Sequence, residues 1–138
     1  MATLDMQLMR YINLLDRAAN VKTNKCFVHN NAIFFAVSDK DISRAIGPAA
    51  VNIRRMQEQL GKRVRIIKKS DGVEDIKRFI EDIVTPVKVK AVEIKDNCVI
   101  ITAGNSQNKA VLIGRNRRRY EELKKVIQDY YNMDLKIV

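Results

Sequence analysis

Two stretches of this chain set guanidinium groups beside a glycine. The first, Ala45 to Met56, reads AIGPAAVNIRRM: a tight corner at Gly47, Pro48, Ala49 and Ala50, with Asn52, Arg54 and Arg55 just beyond it. The second holds Gly114, Arg115, Asn116, Arg117, Arg118 and Arg119. A helix that starts after such a corner points unsatisfied N–H groups, the positive end of its dipole, into the loop, and an anion is stabilised there. Small residues let a polymer backbone come close, whereas arginine forks suit phosphate and also stack on bases. Pro48 fits a first helical turn but removes one N–H from the cradle. The chemistry indicated is the gripping of a phosphate backbone, with no covalent step.

Other chemistries find little support. Cys26 and Cys98 are the only cysteines and His29 the only histidine, too few soft ligands for a closed zinc site. Both cysteines open apolar strand-like runs and read as small hydrophobes. His29, beside Asn30 and Asn31, reads as a solvated turn residue without a nucleophile to serve. No P-loop, metal cluster or nucleophile–base set is present, so neither an enzyme nor a cofactor is expected. Apolar runs such as Ile33 to Val37 fall far short of the roughly 20 residues of a membrane helix. At the N-terminus, Asp5, Arg10 and Asp16 interrupt any secretory core, and a cytoplasmic location is the default.

The net charge of +10 favours a polyanionic partner. Residues 1–70 carry 13 Lys and Arg against 5 Asp and Glu, net +8; residues 71–138 carry 13 against 11, net +2. The second half is thus near neutral, except for the arginines after Gly114.

The elements that must position these residues come as one plan used twice. A shift of 67 residues carries Gly47 onto Gly114, Ile46 onto Ile113, Ala36 onto Ala103 and Asn30 onto Asn97. It also carries Ile53, Met56 and Leu60, one helical stripe, onto Tyr120, Leu123 and Ile127. In the first half, the stripe Leu4, Leu8, Ile12, Leu15 and Ala19 predicts a helix ending near Asn20, with Thr3 as N-cap and Asp5 in its first turn. Two strands, residues 25–29 and 32–37, follow about a hairpin at Asn30-Asn31. A short helix from Ser38 or Asp39, the corner, a helix over 49–60, Gly61 as C-cap and a strand over 63–68 complete the half.

The second half repeats the order. A helix over 73–84 stops before Pro86, and a strand over 87–95 slips its alternation at Ala91-Val92, which reads as a bulge. After Asp96-Asn97 come a strand, a short helix over 106–114, a longer helix over 116–131 and a last strand. The last helix is longer than its counterpart by about one turn. These are two domains, 1–70 and 71–138, α+β in class, each a three-stranded sheet with helices on one face. The hinge KSDGV is short, and domains of this size bury only about 60% of their surface alone, so rigid packing of the halves is expected.

The helix–corner–helix unit followed by a strand resembles the KH motif, and the helix and strand before it resemble its type II form. Two such units in tandem, with Ile-Gly at both corners and VNIRR after the first, are similar to the paired KH region of the NusA transcription factors. With no other domain in these 138 residues, the short archaeal form is the nearest match. The resemblance implies single-stranded RNA as the ligand, RNA polymerase as a second partner, and a role in transcription termination or antitermination. It implies no catalysis, no cofactor and no membrane; a monomer is the default. In KH domains the corner clamps the nucleotide backbone while the adjoining groove receives unstacked bases. The resemblance assigns RNA contacts to Gly47, Pro48, Ala49, Ala50, Asn52, Arg54 and Arg55, and to Gly114, Arg115, Asn116, Arg117, Arg118 and Arg119. Ala50 and Arg117 stand where the family loop has its second glycine. If that position is helical, alanine costs little; if it takes positive φ or lies against a phosphate, a Cβ weakens the clamp.

Ile42, Ile46 and Ile113 read either as floors of the base grooves or as ordinary core. Lys62, Arg63 and Arg65 read either as an extension of the positive surface or as the solvated face of a strand. Aromatic residues are only 6% of the chain, so ring stacking should matter less than in RRM-type readers, and Tyr120 on the core stripe reads as packing. The alternative is a protein-docking module with little RNA affinity. Duplex DNA binding by helix-turn-helix geometry leaves the repeated strand pairs unexplained.

Overall fold

The computed structural model describes residues 6–138, which form two compact units, residues 6–69 and 70–138. Thr3, Leu4 and Asp5, assigned above to the start of the first helix, lie outside the described residues.

In the first unit, α1 (Met6–Ala19) buries Tyr11, Leu15 and Ala19, one residue every turn. It ends at Asn20, whose φ of 55° a helix cannot continue. Strands β1 (Cys26–His29) and β2 (Ala32–Val37) pair antiparallel around Asn30-Asn31, both at positive φ as the hairpin requires. After a 3-10 turn over Asp39–Asp41 come α2 (Ile42–Ile46), the corner and α3 (Val51–Leu60). Gly61, at φ 65°, closes α3, and β3 (Arg63–Lys68) returns parallel to β2. The sheet order is β1-β2-β3. Ile33, Phe35 and Val37 alternate along β2 onto the helix side, where they share a core with Tyr11, Leu15, Ala45, Met56 and Val64.

The second unit repeats this with α4 (Ile76–Val84), β4 (Ala91–Lys95), β5 (Cys98–Thr102), α5 (Ser106–Ile113), α6 (Arg118–Tyr131) and β6 (Asp134–Ile137). Its sheet order is β4-β5-β6, antiparallel then parallel. Asn105 caps α5, its side chain accepting from the Asn108 N–H at 2.7 Å. Each unit therefore has the α-β-β-α-α-β order, with one parallel strand pair, of the type II KH fold. At 14 residues against 10, α6 exceeds α3 by about one turn, as expected.

Five local expectations are corrected. The helices after the corners begin at Val51 and Arg118 rather than at 49 and 116, because a left-handed pair precedes each. Strand β4 starts at Ala91 and carries no bulge; the Val87 N–H instead turns back onto the Val84 carbonyl at 2.9 Å, and the Lys90 N–H leads into the ladder by donating to the Thr102 carbonyl at 2.7 Å. The 67-residue shift holds from the corners into α3 and α6 but is 66 at the hairpins, where Asn31 and Asn97 hold the same place, and 71 at the last strands, where Val64 and Leu135 do. The connection from strand to corner is one residue longer in the second copy, so Val37, not Ala36, matches Ala103. His29 is buried rather than solvated: its ring meets the Phe34 ring edge-on at 6.2 Å, on the face where Phe27 and Phe34 stack. Cys26 is buried, whereas Cys98 is only half-buried.

Phe79 of α4 is fully buried, with the rings of Tyr130 and Tyr131 at 5.6 and 6.1 Å. Phe79→Ala is expected to cost about 3–5 kcal/mol, read from urea unfolding of the whole chain.

Candidate nucleic-acid interface

Both corners are built the same way. Gly47 (φ 81°, ψ 165°) ends α2, its N–H donating to the Ser43 carbonyl at 2.9 Å; Gly114 (φ 77°, ψ 172°) ends α5, donating to Ala110 at 2.9 Å. The Ala50 N–H then closes a turn onto the Gly47 carbonyl at 3.0 Å, and the Arg117 N–H onto Gly114 at 3.2 Å. Inside the turn, Ala49 (φ 53°, ψ 31°) and Ala50 (φ 59°, ψ 30°) are left-handed, as are Asn116 (φ 56°, ψ 27°) and Arg117 (φ 61°, ψ 22°).

The position of the family's second glycine therefore takes positive φ in both copies. Asparagine tolerates that region, but alanine and arginine are strained there by about 1–3 kcal/mol each. Pro48 lies in the turn ahead of the helix, so its missing N–H is not lost from the helix terminus. The N–H groups immediately after the left-handed pairs, those of Val51 and Arg118, donate back to the Pro48 and Arg115 carbonyls, so the turn itself takes up the first donor of α3 and of α6.

Each corner also carries a side-chain latch. Asn52 Nδ2 donates to the Arg44 carbonyl at 3.0 Å, and Arg119 Nη1 to the Val111 carbonyl at 3.2 Å. Donors and acceptors in the two copies are each 67 residues apart. A Cβ built on Gly47 would lie 2.9 Å from Asn52 Nδ2, and one on Gly114 2.8 Å from Arg119 Cγ. One such hydrogen bond is worth about 0.5–1.5 kcal/mol net, enough to offset part of the strain.

The charges sit differently around the two corners. At the second, Arg115, Arg117 and Arg118 are exposed in or beside the turn. At the first, the turn has no cation, and the exposed Arg54 and Arg55 lie one helical turn further on. Their counterparts 67 residues later are Glu121 and Glu122. Not every arginine is available to a ligand. Arg44 pairs with Asp41 at 2.6 Å, and Arg78 binds Asp75 and Asp82, both at 2.6 Å. Hydrogen bonding to Asp75, then to Asp82, raises the Arg78 pKa above even its usual high range.

Beside the second corner lies a groove of about 310 Å³, lined by Lys109, Ile113, Arg117, Tyr120, Lys136 and Ile137. Tyr120 is anchored by its hydroxyl, which donates to the Leu135 carbonyl at 2.8 Å. The Arg117 guanidinium stands 4.8 Å from its ring centre and Lys124 Nζ 5.9 Å. Tyr120 therefore does more than pack, and Ile113 lines the groove floor. In the first unit, the positions matching Lys109, Ile113, Arg117 and Tyr120 are Ile42, Ile46, Ala50 and Ile53. Ile42 and Ile53 pack against the core.

Lys109, Tyr120 and Lys136 were not among the residues picked out by the corner motif. Lys109 stands four residues before Ile113 and Tyr120 three after Arg117, spacings that share a helical face and make both findable. Lys136 arrives only through the parallel pairing of β6 with β5. Among the strand cations, Arg63 is exposed, while Arg65 is half-buried with its guanidinium 5.2 Å from the Phe34 ring centre. Among the described residues no group of three His, Cys, Asp or Glu is placed to hold a metal, and no helix is long and apolar enough to cross a membrane.

Fold and corners together define a tandem pair of type II KH units, α+β in class. Three curated archaeal relatives carry the name probable transcription termination protein NusA. The chain is 25% identical to that of Halococcus morrhuae over 96% of its own length and 94% of the relative's. It is 27% identical to that of Methanocaldococcus jannaschii over 85% of its own length and 64% of the relative's, and 29% identical to that of Methanococcus vannielii over 61% and 47%. Over most of its length the chain is thus similar to short NusA-like proteins of archaea. The crystal structure of APE1850 has the same fold, with a TM-score of 0.68 over 98% of this chain and all of that one, at 23% identity. No family model matches the chain.

Replacing either corner glycine must force a side chain into positive φ and onto the latch. Gly47→Ala and Gly114→Ala are each expected to cost about 1–3 kcal/mol, measured by chemical denaturation.

Proposed function

We propose that this chain is a non-catalytic, single-stranded RNA-binding transcription factor of NusA type, acting in the cytoplasm. On this reading it binds nascent RNA through its two helix–corner–helix loops and takes part in elongation and termination, with RNA polymerase as its second partner. The observation that carries it is the groove beside Gly114. Arg117, Lys109, Lys136 and the anchored ring of Tyr120 line it together with Ile113 and Ile137, and the exposed Arg115 and Arg118 stand beside Arg117 in sequence. That set suits a backbone phosphate at the corner and an unstacked base in the groove. The names of the archaeal relatives support the assignment to termination. The apolar matching positions of the first unit favour base contacts there, with phosphate attracted by Arg54 and Arg55.

One observation favours the docking alternative: Ala50 and Arg117 put a Cβ at a strained position where a bare backbone would let phosphate approach more closely. Equilibrium titration of a fluorescent A-rich single-stranded RNA, beside matching single-stranded and duplex DNA at two salt concentrations, decides between the two. The expected result is RNA preference and affinity falling steeply with salt. Arg115→Glu/Arg117→Glu and Ala49→Asp/Ala50→Asp should each weaken binding at least tenfold while leaving the fold intact, since aspartate tolerates the left-handed region. Absence of binding to any strand, or wild-type affinity in both variants, would favour the protein-docking reading instead.

A further inference from the structure

We infer that Asn52 and Arg119 are positioning residues, which hold the corners in shape for RNA without themselves neutralising its phosphates. The inference rests on the reading that the corners bind RNA. Asn52 and Arg119 occupy the same place in the two copies, and each donates to the carbonyl eight residues earlier, at 3.0 and 3.2 Å. One is a neutral amide and the other a cation. Their shared property is an N–H that reaches back across the corner, so a charge toward phosphate is not what the position requires.

The carbonyls they reach, Arg44 and Val111, belong to the last turns of α2 and α5, where helical partners are lacking. The neighbouring carbonyls, Ser43 and Ala110, are taken by the corner glycines. Glycine N–H and latch together therefore tie off the end of the first helix and pin the start of the second against it. With the latch side chain lying over the glycine, a Cβ there would meet it at 2.9 or 2.8 Å. The glycine is thus demanded by the latch as well as by its own φ. The left-handed pair between these two fixed points holds its form before any ligand arrives, tied further by the Val51 and Arg118 N–H groups, which donate to the Pro48 and Arg115 carbonyls.

The test is the salt dependence of single-stranded RNA affinity for the full chain, with Arg115→Ala, Arg119→Asn, Arg119→Ala and Asn52→Ala beside wild type. Each phosphate neutralised contributes about 0.7 to the slope of log affinity against log salt for a single strand. Arg115→Ala should lower the slope by about 0.7. Arg119→Asn, which installs at the second corner the latch used at the first, should keep the wild-type slope with Kd within about twofold. Arg119→Ala and Asn52→Ala should raise Kd about three- to tenfold, the weight of one hydrogen bond, at unchanged slope. A slope lowered by about 0.7 in Arg119→Asn, or wild-type affinity in both alanine variants, would overturn the positioning role while leaving RNA binding in place. Failure of wild type to bind RNA would overturn both.

Discussion

At each corner a side chain of the second helix reaches back over a glycine to a carbonyl of the first helix, and the path of the chain between them depends on that span. Ala49, Ala50 and Arg117 are left-handed at a cost of about 1–3 kcal/mol each, which Asn116 is spared by its type. They are held by a turn hydrogen bond inside the corner and by the latch across it. Because the pair is left-handed, the following helix starts late, at Val51 or Arg118, and its first N–H closes back onto the turn at Pro48 or Arg115. The shape of the corner is therefore a property of backbone geometry, shared by both copies whatever their side chains.

Side chains then make the two corners chemically unlike. The first is small and uncharged, and the positions around it that match the second groove are isoleucines and an alanine. The second surrounds the same backbone with arginines, lysines and a tyrosine. One turn along the helix the signs reverse, with Arg54 and Arg55 in one copy and Glu121 and Glu122 in the other. Cations of the second copy are thus clustered at the corner and its groove, whereas those of the first stand one turn along α3.

The parallel return strand completes the second groove. Pairing of Val99 with Leu135 and of Ile101 with Ile137 sets the register of β6, and the same register brings Lys136 and Ile137 to the groove wall. The Leu135 carbonyl, fixed by that pairing, accepts from the Tyr120 hydroxyl and so sets the ring that Arg117 and Lys124 face. Packing of the core strand and chemistry of the groove are consequences of one register.

Local patterns in the sequence were enough for the element order, the two-copy plan, both hairpins, the Gly61 cap and the corner glycines, because periodicity, Asn pairs and glycine placement act over a few residues. The repeat offset was legible at the corners, where Ile-Gly marks it, and slipped by one at the hairpins, where Asn30 and Asn31 are interchangeable by type. Tertiary structure alone decided that Ala50 and Arg117 are left-handed, since intrinsic preference would make both helical and only the closed turn and the latch override it. It also decided that His29 is buried against Phe34, that Tyr120 belongs to the groove, and that Lys136 lines the same groove as Lys109. Each of these depends on contacts between residues distant in sequence, where burial and strand register outweigh the local preference of any single residue.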